Sequence, residues 1–289
     1  MNNNLESSNR RTVFILASLS SSLVNFRGPL VSALVERGHQ LHAAAPGLTE
    51  DTATAEWLLG QGVTCHDVPI SRAGLTPFAD LRALLALTLL MRRASPDAFI
   101  GYTIKPVIWG TMAAWMAGVP QKFALITGLG YAFTGKVQGK RALIQRAVRW
   151  LYSQALRRAS LVFFQNPDDE AEFMRLNLIP AGLPTHVVNG SGVDTIAFSP
   201  VPMPRGPAKF LLIARLLGDK GIREYAAAAE RLSTVNPEVE FHIVGGHDLN
   251  PDAIRPDEIR AWQEAGHIVW HGELEDVRPA ITAAHVYVL

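Results

Sequence analysis

From Thr12 onward the sequence alternates two patterns, and this alternation constrains the fold more tightly than any other feature. Continuous apolar or β-rich runs recur as TVFILA (Thr12–Ala17), QLHAAA (Gln40–Ala45), VTCHDV (Val63–Val68), DAFIGY (Asp97–Tyr102), QKFALIT (Gln121–Thr127) and LVFFQ (Leu161–Gln165). Segments of helical pattern separate them, over Gly28–Arg37, near Asp51–Gln61, and over Pro77–Ala94, Pro106–Ala117 and Lys140–Ala159. The first of these stops at Gly38, a residue that ends helices at low cost. Strands that do not alternate apolar with polar are buried on both faces, and intervening helices provide the cover. The pattern therefore predicts an α/β fold with a doubly wound parallel sheet.

SPVPMPRGP (Ser199–Pro207) breaks the rhythm with four prolines, which suit neither a helix interior nor a central strand. The alternation then restarts with KFLLIA (Lys209–Ala214), a helix over Gly221–Leu232, VEFHIVG (Val239–Gly245) and a helix around Asp257–Ala265. HIVWHG (His267–Gly272), a helix over Glu275–Ala284 and HVYVL (His285–Leu289) complete it. The expected organisation is two Rossmann-like domains, residues 12–199 and 208–289, joined by a linker over 200–207. The sequence stops on a strand with no covering helix, so the second domain is expected to be partial, truncated at its C-terminal side.

Composition excludes several classes. A protein of 289 residues, 48% hydrophobic and 18% charged, can bury ample core. A formal net charge of +1 argues against nucleic acid as the principal partner. The single cysteine, Cys65, cannot form an internal disulfide, which points to a cytoplasmic protein. The polar start MNNNLESSNRR lacks the apolar centre of a signal peptide, and the run ALLALTLLM (Ala83–Met91) is far short of the ~18 residues that span a bilayer.

Within FLLIARLLGDKGIREY (Phe210–Tyr225), Arg215 and Lys220 fall where a buried strand gives way to a helix. Cations favour the opposite, C-terminal end of a helix. At an N-terminus they either are solvated loop charges, with Lys220 paired to Asp219 or Glu224, or face an anion that the free N–H groups also attract. A guanidinium fork and an ammonium there could neutralise a diphosphate, including charge growing on it as a leaving group. In the first domain the corresponding loop, SLSSSLVNFRGPL (Ser18–Leu30), is rich in small polar groups but lacks GxGxxG and the P-loop GxxxxGK[ST], against a dinucleotide dehydrogenase or a P-loop NTPase. ITGLGYAFTG (Ile126–Gly135) offers glycines for close backbone approach or merely for a turn.

Between Thr134 and Ala159 every charged residue is basic, with Leu143, Ile144, Trp150, Leu151 and Tyr152 interleaved. Such a helix either rests on anionic lipid or packs its apolar face on the sheet with its cations in water. The histidines show no metal-ligand spacing; His242, His247 and His271 lie near strand ends, as site residues or as satisfied neighbours of the sheet.

Taken in order, NFRGPLVSALVERGHQLHAAAPG (Asn25–Gly47), YTIKPVIWGTMAAWMAGVPQKFALITGLGYAF (Tyr102–Phe133), VFFQNPDDEAEF (Val162–Phe173), NGSGVDTIAFSP (Asn189–Pro200) and ARLLGDKGIREY (Ala214–Tyr225) resemble the retaining GT-B glycosyltransferases of glycosyltransferase family 4. The second stretch is similar to a subgroup that adds N-acetylhexosamines to polyprenyl-diphosphate-linked glycans. The resemblance implies two domains facing a cleft and transfer from a UDP-sugar to a lipid-linked acceptor without a metal cofactor. It also implies work at the inner face of the cytoplasmic membrane, with peripheral contact through residues 134–159. Arg215 and Lys220 match the cations that bind the donor diphosphate, and Glu273 and Leu274 fall where the base is recognised, largely through backbone. Ser20, Asn25, Arg27, Gly28, Lys105, Thr127, Gly128 and Gly130 match loops that face sugar and acceptor. No catalytic residue is assigned, because ITGLG replaces the His that many members carry after the fifth strand.

The acidic E-x7-E motif of the family would lie beyond Leu289, so the resemblance implies little transferase activity for a protein of this length. Two other readings compete: a sugar-nucleotide 2-epimerase of the same fold, and a non-enzymatic remnant that docks on a membrane or partner.

Overall fold

The computed structural model describes residues 10–71, 76–129, 139–248 and 252–289. The protein divides into two compact units, Met1–Gly192 and Val193–Leu289. In the first unit seven strands pair in parallel: β1 (Thr12–Leu16), β2 (Gln40–Ala45), β3 (Thr64–Asp67), β4 (Ala98–Tyr102), β5 (Gln121–Ile126), β6 (Leu161–Phe164) and β7 (Thr185–Val187). Their order is β3-β2-β1-β4-β5-β6-β7, so the winding reverses between β1 and β4. In the second unit β8 (Lys209–Ile213), β9 (Glu240–Val244), β10 (Val269–Trp270) and β11 (Val286–Val288) form a parallel sheet in the order β10-β9-β8-β11. The doubly wound α/β architecture expected from the alternation is present in both.

A short α1 (Ser22–Asn25) leads into α2 (Gly28–Glu36), which with α3 (Thr52–Gly60) covers one face of the seven-stranded sheet. The core there joins Val13, Ile15, Leu41, Val31 and Leu58. Asp51 starts α3 by accepting the Thr54 N–H, as an N-cap should. The opposite face carries α4 (Pro77–Ala94), α5 (Thr111–Ala117), α6 (Lys140–Leu156) and α7 (Pro167–Arg175). Leu87 and Met91 of α4 pack on Phe14 and Phe99, while Tyr152 of α6 and Phe173 of α7 close edge-to-face over the β5–β6 end. In the second unit α8 (Ile222–Val235) and α9 (Pro256–Glu264) bury Tyr225, Ala226 and Ile259 against Phe241 and Ile243. The bidentate Arg223–Glu258 pair ties these two helices, with distances of 2.7 and 3.1 Å, and a five-residue α10 (Arg278–Thr282) precedes β11.

Two details depart from the periodicity. The helical pattern over Pro106–Ala117 is not one helix: residues Pro106–Gly110 form a π-helical turn before α5 begins. The turn follows Thr103, a β-branched residue held at φ 69° with its Oγ1 donating to Ser18 Oγ at 2.9 Å. The helix α7 and strand β7 fall in a stretch for which the alternation predicts no element. The start of α7 is nevertheless written there, with Asn166 capping the Asp169 N–H, Pro167 opening the helix and acids in its first turn.

The π-turn reaches the sheet because Gly110 has no side chain. A Cβ there would lie 2.5 Å from Phe99 Cζ and 2.6 Å from Leu16 Cδ2, atoms at the centre of the core. Gly110→Ala is therefore expected to lower stability by about 1–3 kcal/mol through overpacking. Gly60→Ala, in a helix and with nothing near its Cβ, should leave stability unchanged or raise it. Urea denaturation of the two variants checks the contrast; equal stabilities would remove the close-approach argument.

Candidate functional site

The loops that follow β8, β9 and β10 lie together at the carboxyl edge of the second sheet, tied by backbone bonds. Ala214 N–H donates to Val244 O, and Gly245 N–H donates to Gly272 O at 2.8 Å. Gly245 passes so close to the first loop that an added Cβ would fall on the Ala214 carbonyl. Arg215 projects from this edge with its side chain 61% exposed and makes one ion pair, Nη1 to an Asp248 carboxylate oxygen at 3.2 Å. A single contact at that exposure stabilises little, so the guanidinium stays available to another anion. Lys220 stands in the 3-10 turn Gly218–Lys220, and its ammonium has no ion-pair partner among the described residues. Pairing with Asp219 or Glu224, the loop-charge alternative, is not seen. Directly after it Gly221, at φ 70°, opens the 14-residue α8, whose N-terminus no side chain caps. Arg215 and Lys220 thus bracket the loop that joins β8 to the uncapped start of α8, a setting suited to a phosphate group.

Glu273 and Leu274 follow β10 at the same edge. The Glu273 carboxylate lies against Gly246, where a Cβ would come within 2.7 Å of Oε2. Gly245, Gly246 and Asp248 therefore belong to this site, and sequence reasoning did not select them. The signal available was the pair of glycines that ends the strand run VEFHIVGG. His242, His247 and His271, the histidines singled out near strand ends, are engaged otherwise. His242 Nδ1 and His271 Nε2 are 2.8 Å apart in a stacked pair, Glu240 bonds His242 at 2.9 Å, and His247 packs on Trp270. Among the described residues no group of three or more His, Cys, Asp or Glu side chains is placed to hold a metal ion.

In the first unit the corresponding edge brings together Ser18, the α1–α2 segment, Tyr102, Thr103, Gln165 and Ser191. Arg27 is buried there, its guanidinium carbon 4.8 Å from the centre of the Tyr102 ring, and its Nη1 donates to Phe26 O and Ser191 Oγ at 2.9 Å each. Ser191 Oγ in turn accepts from Gln165 Nε2 at 2.8 Å. Ser22 Oγ meets Tyr102 Oη at 2.9 Å, and burial pushes the Tyr102 hydroxyl pKa up to about 12, so it stays protonated. Asn25 is exposed, while Thr127 and Gly128 continue from β5, with open space where a Gly128 Cβ would project. Gly130 lies outside the described residues.

Three residues matched to these loops have other duties. Ser20 donates to Asp51 Oδ2 at 2.6 Å and so steadies the cap of α3; this bond, with those from Thr54, holds the Asp51 carboxyl below its usual pKa. Gly28 is the first residue of α2 and packs near Trp57, where a Cβ would find ordinary van der Waals contact. Lys105 does not offer a free ammonium. Its Nζ lies 2.8 Å from Asp80 Oδ1 and also donates to Ser71 Oγ, in an ion pair almost fully removed from water. Expected on a loop facing sugar and acceptor, Lys105 is found buried, its charge tying α4 to the segment after β4.

Of the basic stretch, Lys140–Leu156 forms α6 and residues 134–138 lie outside the described residues; Leu143 is 65% and Trp150 60% exposed, with Arg146 also exposed. On the same sheet face α4 exposes Phe78 (91%), Leu81, Leu85 and Leu89 along one stripe, and α5, which touches both α4 and α6, exposes Trp115. Arg92 donates to Met116 O, and Arg158 stacks 4.4 Å over Trp115. These three helices carry one acidic residue, the buried Asp80. No helix among the described residues is long and apolar enough to cross a membrane.

Comparison with known proteins follows the same lines. Residues 26–190 match the family described as the glycosyl transferase 4-like domain. The N,N'-diacetylbacillosaminyl-diphospho-undecaprenol alpha-1,3-N-acetylgalactosaminyltransferase of Campylobacter jejuni is 26% identical over 288 residues, covering 95% of this protein and 73% of the relative. The UDP-Gal:alpha-D-GlcNAc-diphosphoundecaprenol alpha-1,3-galactosyltransferase of Escherichia coli is 26% identical over 208 residues, which are 67% of this protein and 52% of that one. Among solved structures, a glycosyltransferase from Rickettsia africae aligns over 96% of this protein and 72% of its own length with a TM-score of 0.66 at 15% identity, a likeness of fold.

The reassignment of Lys105 is open to measurement. Asp80→Ala leaves a buried ammonium without its counter-ion and is expected to cost about 3–5 kcal/mol. The double change Asp80→Leu with Lys105→Met should recover most of that loss. Denaturation curves for the single and double variants check it, and a single variant as stable as the parent would show that the pair does not lock α4.

Proposed function

This protein belongs to the glycosyl transferase 4-like family and has the GT-B fold, and from that premise we propose that it is a retaining hexosyltransferase. In this reading it moves a sugar, an N-acetylhexosamine by kinship, from a UDP-sugar to a polyprenyl-diphosphate-linked glycan. The observation that carries the donor half is the position of Arg215 and Lys220 on the loop between β8 and the uncapped start of α8. The two cations and the helix N–H groups bind the diphosphate and stabilise the charge that grows on it as the glycosidic bond breaks. Because those groups supply the positive charge, no metal is needed to make UDP leave. Glu273 and Leu274 recognise the base through their backbone, and Asn25, Arg27, Thr127 and Gly128 face sugar and acceptor. The acceptor class is supported by the names of both curated relatives, each of which acts on an undecaprenol diphosphate-linked sugar.

The acceptor is anchored in a bilayer, and the basic, apolar face of α4, α5 and α6 supports peripheral contact with anionic lipid at the inner face of the cytoplasmic membrane. Phe78 and Leu81 stand at the N-terminal end of α4, and Leu143 and Ile144 at that of α6. In a parallel α/β unit that end lies on the side of the strands' carboxyl edge. Contact there would bring the acceptor's head group to the site.

Two measurements follow. Arg215→Ala and Lys220→Ala should each weaken UDP binding by ~10–100-fold, the value of one charged hydrogen bond, without lowering the melting temperature. Any product formed from UDP-N-acetylhexosamines and a polyprenyl-diphosphate glycan should be α-linked, and its formation should persist in EDTA. Product from the nucleotide sugar alone would instead identify an epimerase. Separately, the protein should float with vesicles containing phosphatidylglycerol and not with pure phosphatidylcholine; Phe78→Glu with Leu143→Glu should abolish flotation, and flotation unchanged by both would exclude this face.

A further inference from the structure

Arg27 is as deeply buried as Lys105, at 5% exposure, yet it has no counter-ion among the described residues. Its two bonded acceptors, Phe26 O and Ser191 Oγ, are neutral, and no described carboxylate pairs with it. Its Nε is sealed from solvent without an acceptor, and no bond of Nη2 is present among the described residues. Beyond those two acceptors, the compensation among the described residues is the π-face of Tyr102, and burial lowers the guanidinium pKa. An arginine does not shed its proton to escape such a site, so the fold bears an unneutralised charge. Arg27 also occupies the N-cap position of the nine-residue α2, whose N-terminus no side chain caps. The positive end of that helix and the cation therefore add in one place, beside exposed Ser191.

We propose that Arg27, with the start of α2, is the receptor for a phosphate group carried by a substrate into the first unit, and that the incoming anion supplies the missing counter-charge. The anion's source rests on the function proposed above: either the diphosphate of the lipid-linked acceptor or that of the nucleotide donor presents the same chemistry. The group binds through its oxygens and undergoes no bond change here.

The test uses geranyl diphosphate and UDP as probes, with affinities by calorimetry and melting by scanning fluorimetry. Geranyl diphosphate should bind the parent protein and raise its melting temperature. Arg27→Met removes an unpaired buried charge, so the variant should melt at or above the parent temperature while losing at least tenfold in affinity for geranyl diphosphate. Arg27→Lys keeps the charge without the fork to Phe26 and Ser191, and should retain most of that affinity. Loss of geranyl diphosphate with UDP unaffected assigns the acceptor; loss of UDP instead assigns the donor; both outcomes support the receptor. Arg27→Met that melts several degrees lower, with Arg27→Lys equally destabilised and geranyl diphosphate binding unchanged in either, would make Arg27 a structural strut and overturn the proposal. So would a parent protein that binds neither probe. If UDP binding survives Arg215→Ala and Lys220→Ala, the donor-site reading fails while the Arg27 result stands.

Discussion

Parallel pairing under right-handed crossover is the constraint on which the rest of this structure depends. Because every strand in a sheet runs the same way, each reversal of direction after a strand falls at one edge, and each helix then begins there with free N–H groups. Arg215, Lys220, Gly246 and Glu273 need no contacts with one another to share a site; strand direction alone delivers them to it. The same rule gathers Ser18, Arg27, Tyr102, Thr103 and Ser191 in the first unit.

How far the sequence disclosed this differs from element to element for physical reasons. The strands were legible because burial on both faces leaves unbroken apolar runs, as in Phe14–Leu16 and Leu211–Ile213. Arg215 and Lys220 were legible because a charge at a helix start is unusual. The π-turn at Pro106–Gly110 was not, since its residues read as one helix with α5 and the cause lies in the close approach of Gly110 to Phe99. The pairing of Lys105 was hidden for a related reason: nothing in its sequence neighbourhood announces Asp80, 25 residues away across the fold.

Lys105 and Arg27 show two solutions to one problem. Both are cations enclosed by protein, and a sequence gives no sign of which will be neutralised from within. Lys105 finds a carboxylate and becomes architecture. Arg27 finds only neutral oxygens and an aromatic face among the described residues. Thr103, held at positive φ just after Tyr102, adds local backbone strain at the same edge, the kind of cost that folded proteins concentrate where they handle ligands.

The near-zero total charge conceals a division between the two units. Met1–Gly192 carries 18 Lys and Arg against 12 Asp and Glu, a net of +6, whereas Val193–Leu289 carries nine against 14, a net of −5. Near an anionic surface the two units therefore experience opposite forces, one drawn in and the other pushed away. A field of that kind aligns a molecule before any side chain touches lipid. Salt then acts on its orientation as well as on its affinity, over a distance of about 8 Å at physiological ionic strength.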